Sequence, residues 1–127
     1  MPAPLGPAAA CFPLQVHAVH VERNGRVVVV WASGELDAFV VTDLETAFTE
    51  VAEGRRIVVD LERVSFMDST ALGVLVRRVR ELREVDADVR VVLPRGTARR
   101  IFEITALDNA LPIVADRAAA LDELDPA

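Results

Sequence analysis

Val58-Val59-Asp60-Leu61-Glu62-Arg63-Val64-Ser65-Phe66-Met67-Asp68-Ser69-Thr70-Ala71-Leu72-Gly73-Val74-Leu75 joins three kinds of local pattern in one run. Arg56 to Leu61 reads as a strand, and its run Ile57, Val58, Val59 predicts burial on both faces. Glu62 to Met67 reads as a short loop. A helix then opens at Asp68 or Ser69, because either side chain can accept from backbone N–H groups of a first helical turn. A cap role alone would justify both residues. The same helix start would also favour a phosphate on Ser69, whose charge of roughly −1.5 to −2 suits the positive end of the helix dipole. Spacing leaves these two readings open.

Toward the C-terminus, Leu72, Leu75, Val76, Val79 and Leu82 continue an amphipathic helix, with Arg77, Arg80, Arg83 and Glu84 elsewhere on its circumference. Val89 to Leu93 is a strand stopped by Pro94 and Gly96. A helix is predicted from about Thr97 to Leu107, a short edge strand over Ile113 to Ala115, and a terminal helix over Arg117 to Leu124. Toward the N-terminus, Val40, Val41, Leu44, Phe48 and Val51 recur at helical spacing, with Gly54 as the expected stop. Leu14 to Val21 and Arg26 to Ala32 form two β-branched-rich strands around Asn24-Gly25, a pair suited to a tight hairpin turn. Residues 1–13 hold four of the seven prolines and no hydrophobic period, so they read as a tail preceding one domain over 14–127. Strands alternating with helices require crossover connections. The expected fold is therefore α/β, a mixed, mostly parallel sheet of about five strands with an N-terminal antiparallel hairpin, packed by about four helices.

The chain has 127 residues, 52% of them hydrophobic and 27% charged, which suits one globular core. Its basic residues are all arginine, fourteen against twenty acidic residues, for a net charge of −6. That balance repels phosphate backbones and anionic lipid, so neither nucleic acid nor membrane is an expected partner. The longest apolar stretches, Val27 to Ala32 and Ala71 to Val76, fall far below the roughly 18 to 20 residues needed to span a bilayer. The first charged residue is Glu22, so the start lacks a signal peptide's positive region. A single cysteine, Cys11, cannot form an internal disulfide, and a cytoplasmic setting is expected.

Several chemistries lack their residues. The glycines at 25, 34, 54, 73 and 96 build neither a phosphate-cradling P-loop nor a dinucleotide fingerprint, and no cofactor is expected. His17 and His20 stand three apart on a predicted strand, hence on opposite faces, which disfavours joint metal ligation. Ser69 lacks the nucleophile-elbow glycines, since Met67 and Ala71 occupy their places. Glu35 and Asp37 could share a face at a strand end as an acid–base pair. The simpler reading is that Gly34 to Asp37 forms the polar turn out of the hairpin.

The same stretch resembles the signature of the STAS family, the anti-sigma factor antagonists, in which a strand ending in Asp-Leu precedes an Asp-Ser-Ser-Gly-Leu-Gly type motif. Here Asp60-Leu61 is followed by Asp68-Ser69-Thr70-Ala71-Leu72-Gly73. Gly34-Glu35-Leu36-Asp37 and Ile101-Phe102-Glu103-Ile104-Thr105-Ala106-Leu107-Asp108 resemble two further family segments. The resemblance covers about residues 14 to 124. Ala71 and Ala106 stand where glycine is common in the family, and the first change favours helix by about 1 kcal/mol.

The resemblance implies a phosphoacceptor role for Ser69. It implies a regulator rather than an enzyme. In its unmodified form such a protein binds an anti-sigma factor that is also a serine protein kinase, and so releases a sigma factor. Phosphorylation breaks that complex and a phosphoserine phosphatase restores it. The implied partner surface is the start of the second helix with its adjoining loops: Ser65, Met67, Asp68, Ser69, Thr70 and Leu72, with Glu35 and Asp37. Related domains also serve as stressosome-like scaffolds or transporter accessories, a role in which Ser69 would be only a helix cap.

Overall fold

The computed structural model describes residues 17–51, 55–93, 100 and 111–125. In chain order the elements are β1 (His17–Asn24), β2 (Val27–Leu36), α1 (Val41–Glu50), β3 (Arg56–Met67), α2 (Ser69–Glu84), β4 (Asp88–Val92), β5 (Ile113–Val114) and α3 (Arg117–Leu124). The five strands form one sheet whose spatial order equals their chain order. β1 pairs antiparallel with β2, and every later neighbour is parallel. This is the mixed α/β sheet with an N-terminal hairpin that the alternating pattern predicts. Three helices lie among the described residues. The tail over 1–13, Cys11 and the helix predicted over 97–107 fall outside them, apart from Arg100.

Alternation along the central strands divides the interior in two. On β2, Val28, Val30 and Ala32 join Ile57, Val59 and Leu61 of β3 in the larger core, beneath Leu44 and Phe48 of α1 and Leu75, Val79 and Leu82 of α2. Val27 and Val29 face the other way with Val58 and Val92, covered by Ala120 and Leu124 of α3. A strand covered on both faces reads as a continuous apolar run, which is why four consecutive valines occupy 27–30.

The larger departures from the expected boundaries have local reasons. The hairpin turn centres on Gly25-Arg26 rather than Asn24-Gly25, because Asn24 pairs with Val27 and closes the ladder. Gly25 has φ +63° while Arg26 lacks a positive φ, the sign pattern of a type II′ turn. β2 runs on past Ala32 to Leu36. β3 likewise continues through the predicted loop to Met67, with register shifts opposite Trp31/Ser33 and Gly34/Glu35. Those irregularities break period-two alternation: Val64 and Met67 are buried while the residues between them are exposed, so the segment does not look like a strand.

Among the described residues one charged side chain is buried. Asp60, on β3 among valines, is 5% exposed. Its Oδ1 accepts the Glu62 N–H at 2.9 Å, and its Oδ2 accepts Arg117 Nε at 2.7 Å. Arg117 also donates to Glu22 Oε1 at 2.8 Å, so one guanidinium at the first position of α3 ties β3 to β1. Burial alone would lower the pKa of Arg117, but its hydrogen bonds to Asp60 and Glu22 outweigh that and raise it.

Candidate functional site

β2 and β3 end side by side, with Leu36 and Met67 in register and both buried. The chain leaves them in two directions, from β2 into the turn before α1 and from β3 into α2. The Asp68 N–H donates to the Leu36 carbonyl at 3.0 Å, which carries the strand ladder one residue further. Asp68 is extended, with φ −86° and ψ 176°, and is the residue that caps α2. Its Oδ1 accepts the Ala71 N–H at 2.9 Å. Its Oδ2 accepts the Ala38 N–H at 3.1 Å, reaching across to the other turn. One carboxylate therefore both starts α2 and pins the segment leading into α1.

That segment is itself ordered by Asp37. Its Oδ1 accepts the Phe39 N–H at 3.0 Å, and its carbonyl accepts the Val40 N–H at 3.0 Å. Side chains of this type close such turns by imitating a backbone carbonyl. Gly34, with φ +79°, lies at the register shift just upstream, where a side chain would be strained. The polar-turn reading of Gly34 to Asp37 thus corresponds to a strand end followed by a side-chain-closed turn, and Glu35 and Asp37 are not arranged as an acid–base pair. Glu35 lies in the ladder opposite Phe66, while Asp37 serves the turn.

Ser69 is the first residue of α2 and is exposed. Its Oγ makes no side-chain hydrogen bond among the described residues, because Asp68 has taken the cap. The choice between these two adjacent residues, open from spacing alone, is decided by geometry. Thr70, Ser65 and Glu35 are also exposed, and Asp37, Asp68 and Leu72 are partly covered. Met67 is a correction: at 3% exposure it belongs to the core and offers a partner no side-chain surface. Phe39, 89% exposed, and Phe66, 47% exposed, also lie here, and neither is evident from the sequence pattern. Phe39 was hidden by the apolar pair Val40-Val41 that follows it, and Phe66 by the shifts in β3.

From Ser69 an open groove of about 590 Å³ follows α2 past Leu72, Gly73 and Val76 toward Arg80. A Cβ at Gly73 would meet nothing within 4 Å, so no contact within the described residues accounts for glycine there. Arg77 and Arg78 of α2 pair with Glu45 of α1 at 2.6 and 3.3 Å, bracing the two helices beside the groove. Among the described residues no cluster of histidine, cysteine, aspartate or glutamate is placed to hold a metal ion. His20 instead stacks on Trp31, with ring centroids 4.3 Å apart. No described helix is long and apolar enough to cross a membrane.

The arrangement presents the Ser69 hydroxyl, exposed, on the first residue of a helix. Comparison with known proteins gives the same region a context. The anti-sigma-B factor antagonist of Staphylococcus aureus (strain NCTC 8325 / PS 47) is 36% identical over 86 residues, covering 66% of this chain and 80% of the relative. A crystal structure of an anti-sigma factor antagonist from Mycobacterium paratuberculosis superposes with a TM-score of 0.77 at 29% identity, covering 85% of this chain and 93% of that one. The anti-sigma factor antagonist SpoIIAA in its unphosphorylated form gives 0.71 at 30% identity, over 87% and 98% of the two chains. SpoIIAA, a Bacillus cell fate determinant, is also solved in a phosphorylated form, which gives 0.65 at 29% identity over 84% and 98%. The model of the STAS domain matches residues 18–120, and the chain belongs to that family.

Proposed function

We propose that this chain is an anti-sigma factor antagonist whose state is set by phosphorylation of Ser69. Unmodified, it binds an anti-sigma factor that is also a serine kinase and frees the sigma factor. The kinase transfers the γ-phosphoryl group of ATP to Ser69 Oγ, and a phosphoserine phosphatase removes it. The chain is a substrate and a switch in this cycle, and the chemistry belongs to its partners. Ser65, Asp68, Thr70, Leu72, Glu35 and Asp37 surround the acceptor in this reading.

The observation that carries the proposal is the division of labour at the start of α2. Asp68 accepts the Ala71 N–H, so Ser69 is not needed as a cap and its hydroxyl is exposed. The scaffold alternative would instead leave Ser69 without a partner-dependent role, and the cap bond from Asp68 rather than Ser69 favours the switch. Likeness to SpoIIAA, known in both unphosphorylated and phosphorylated forms, supports the same reading. A phosphate placed in a close interface meets like charge and desolvation, and about 1.4 kcal/mol already changes affinity tenfold.

Incubation with ATP and each purified anti-sigma kinase of the source organism, followed by peptide mass mapping, tests the assignment. Phosphate is expected on Ser69. Its recovery on Ser65 or Thr70 with Ser69 unmodified would overturn the proposal.

A further inference from the structure

We propose that Phe39 is the aromatic anchor with which this chain docks into an apolar pocket of its anti-sigma partner, a proposal that rests on the reading just given. Isolated surface hydrophobics need no explanation, but this one has unusual company. Three large hydrophobic side chains are markedly exposed among the described residues: Phe39, Phe66 and Val85. Two of them flank Asp68. Phe39 adjoins Ala38, whose N–H the Asp68 carboxylate holds, and Phe66 is two residues upstream of Asp68 on β3. Val85 lies at the opposite end of α2.

The Phe39 ring is also held out by structure. The N–H groups of Ala38, Phe39 and Val40 are all bonded, to Asp68 Oδ2, Asp37 Oδ1 and the Asp37 carbonyl, at 3.0 to 3.1 Å. Val40, the next residue, is buried at 1% exposure and anchors the turn from below. The backbone is thus already fixed while the ring stays in water, so little ordering cost remains to be met on binding. Aromatic side chains presented in this way dominate the energetics of protein interfaces.

Distance identifies the occupant. Through the Ala38–Asp68 hydrogen bond, the Cα atoms of Phe39 and Ser69 lie no more than about 16 Å apart. A standard interface covers about 800 Å² on each partner, a disc of roughly that radius. A protein seated on Ser69 with an ordinary footprint therefore reaches Phe39. The Asp68 carboxylate joins anchor and acceptor into one rigid surface, so that the partner meets both together.

The test titrates the wild-type chain and the variants Phe39→Ala, Phe39→Leu and Val85→Ala against each purified anti-sigma factor of the source organism, with melting curves for all four. Phe39→Ala should bind at least tenfold more weakly, Phe39→Leu should recover part of that loss, and Val85→Ala should stay within twofold, all with unchanged melting. Wild-type binding with Phe39→Ala within twofold of it would overturn the anchor while leaving the antagonist reading intact. Absence of wild-type binding to every anti-sigma factor would overturn both. Equal losses for Phe39→Ala and Val85→Ala would overturn the anchor by showing nonspecific stickiness. Self-association of the chain that Phe39→Ala abolishes would overturn it in favour of a second copy as occupant.

Discussion

Arg117 Nε donates to the buried Asp60 Oδ2 at 2.7 Å, joining residues 57 positions apart. Asp60 is the one charged side chain buried among the described residues, and Arg117 is its ionic partner. A buried ion pair need not stabilise a fold against an apolar replacement, but removing one partner leaves an uncompensated charge.

Arg117→Ala is accordingly expected to lower the unfolding free energy by about 3 kcal/mol. The double variant Asp60→Asn/Arg117→Met should lose less, because it buries no orphaned charge and Asn can still accept the Glu62 N–H. Urea unfolding of both proteins measures the difference. A double variant less stable than the single one would contradict this account of the pair.

The cap and the proposed phosphoacceptor are adjacent residues, Asp68 and Ser69. Asp68→Ala removes acceptors for both Ala71 and Ala38 and should cost about 1 to 2 kcal/mol. Ser69→Ala and Ser69→Asp should each stay within about 0.5 kcal/mol of wild type, as surface changes do. Binding to the anti-sigma partner should divide differently, with Ser69→Ala retained and Ser69→Asp reduced. Thermal melts beside titrations read both quantities. A Ser69→Ala loss of stability as large as that of Asp68→Ala would restore the serine to the cap.

The other end of α2 carries a correctable strain. Asp86 has φ 66°, and the Ala87 N–H returns to the Leu82 carbonyl at 3.0 Å, closing the helix in a Schellman-type turn. Asp86→Gly should stabilise the protein by about 0.5 to 1 kcal/mol, since glycine accepts this conformation and a negative charge leaves the negative helix end. A denaturation midpoint that falls instead would reject the argument.

What could be read from the sequence follows the range of the interactions. Leu72, Leu75, Val79 and Leu82 betray α2 because a helix repeats every few residues, and the unbroken run Ile57 to Val59 betrays a strand covered on both faces. β3 was cut short because its register shifts answer to β2, which the local pattern of β3 does not record. Asp68 and Ser69 are equally good caps by residue type, and they are told apart only in three dimensions, where Asp68 accepts the Ala71 N–H and also reaches Ala38, 30 residues away. Nothing near Asp60 in the sequence points to its partner Arg117, 57 residues away. Phe39 stands beside the apolar pair Val40-Val41, and only the turn, which the local pattern does not record, places it in water.

Because strand order follows chain order, each crossover from β2 onward spans only nineteen or twenty residues, and every ladder closes with the strand made just before it. The sheet can therefore grow in step with synthesis, which favours early folding through short-range contacts. α3 breaks that sequence of events. Its Arg117 reaches back to Glu22, and Arg26 N–H reaches Asp125 at 3.5 Å, so the last helix fastens the first hairpin. A nascent chain halted before Arg117 would hold a nearly finished sheet with an uncovered valine face and an unpaired carboxylate at Asp60. Closure by the last helix thus makes the whole sheet depend on completion of the chain, and a copy lacking α3 should expose apolar surface and open more readily to proteases.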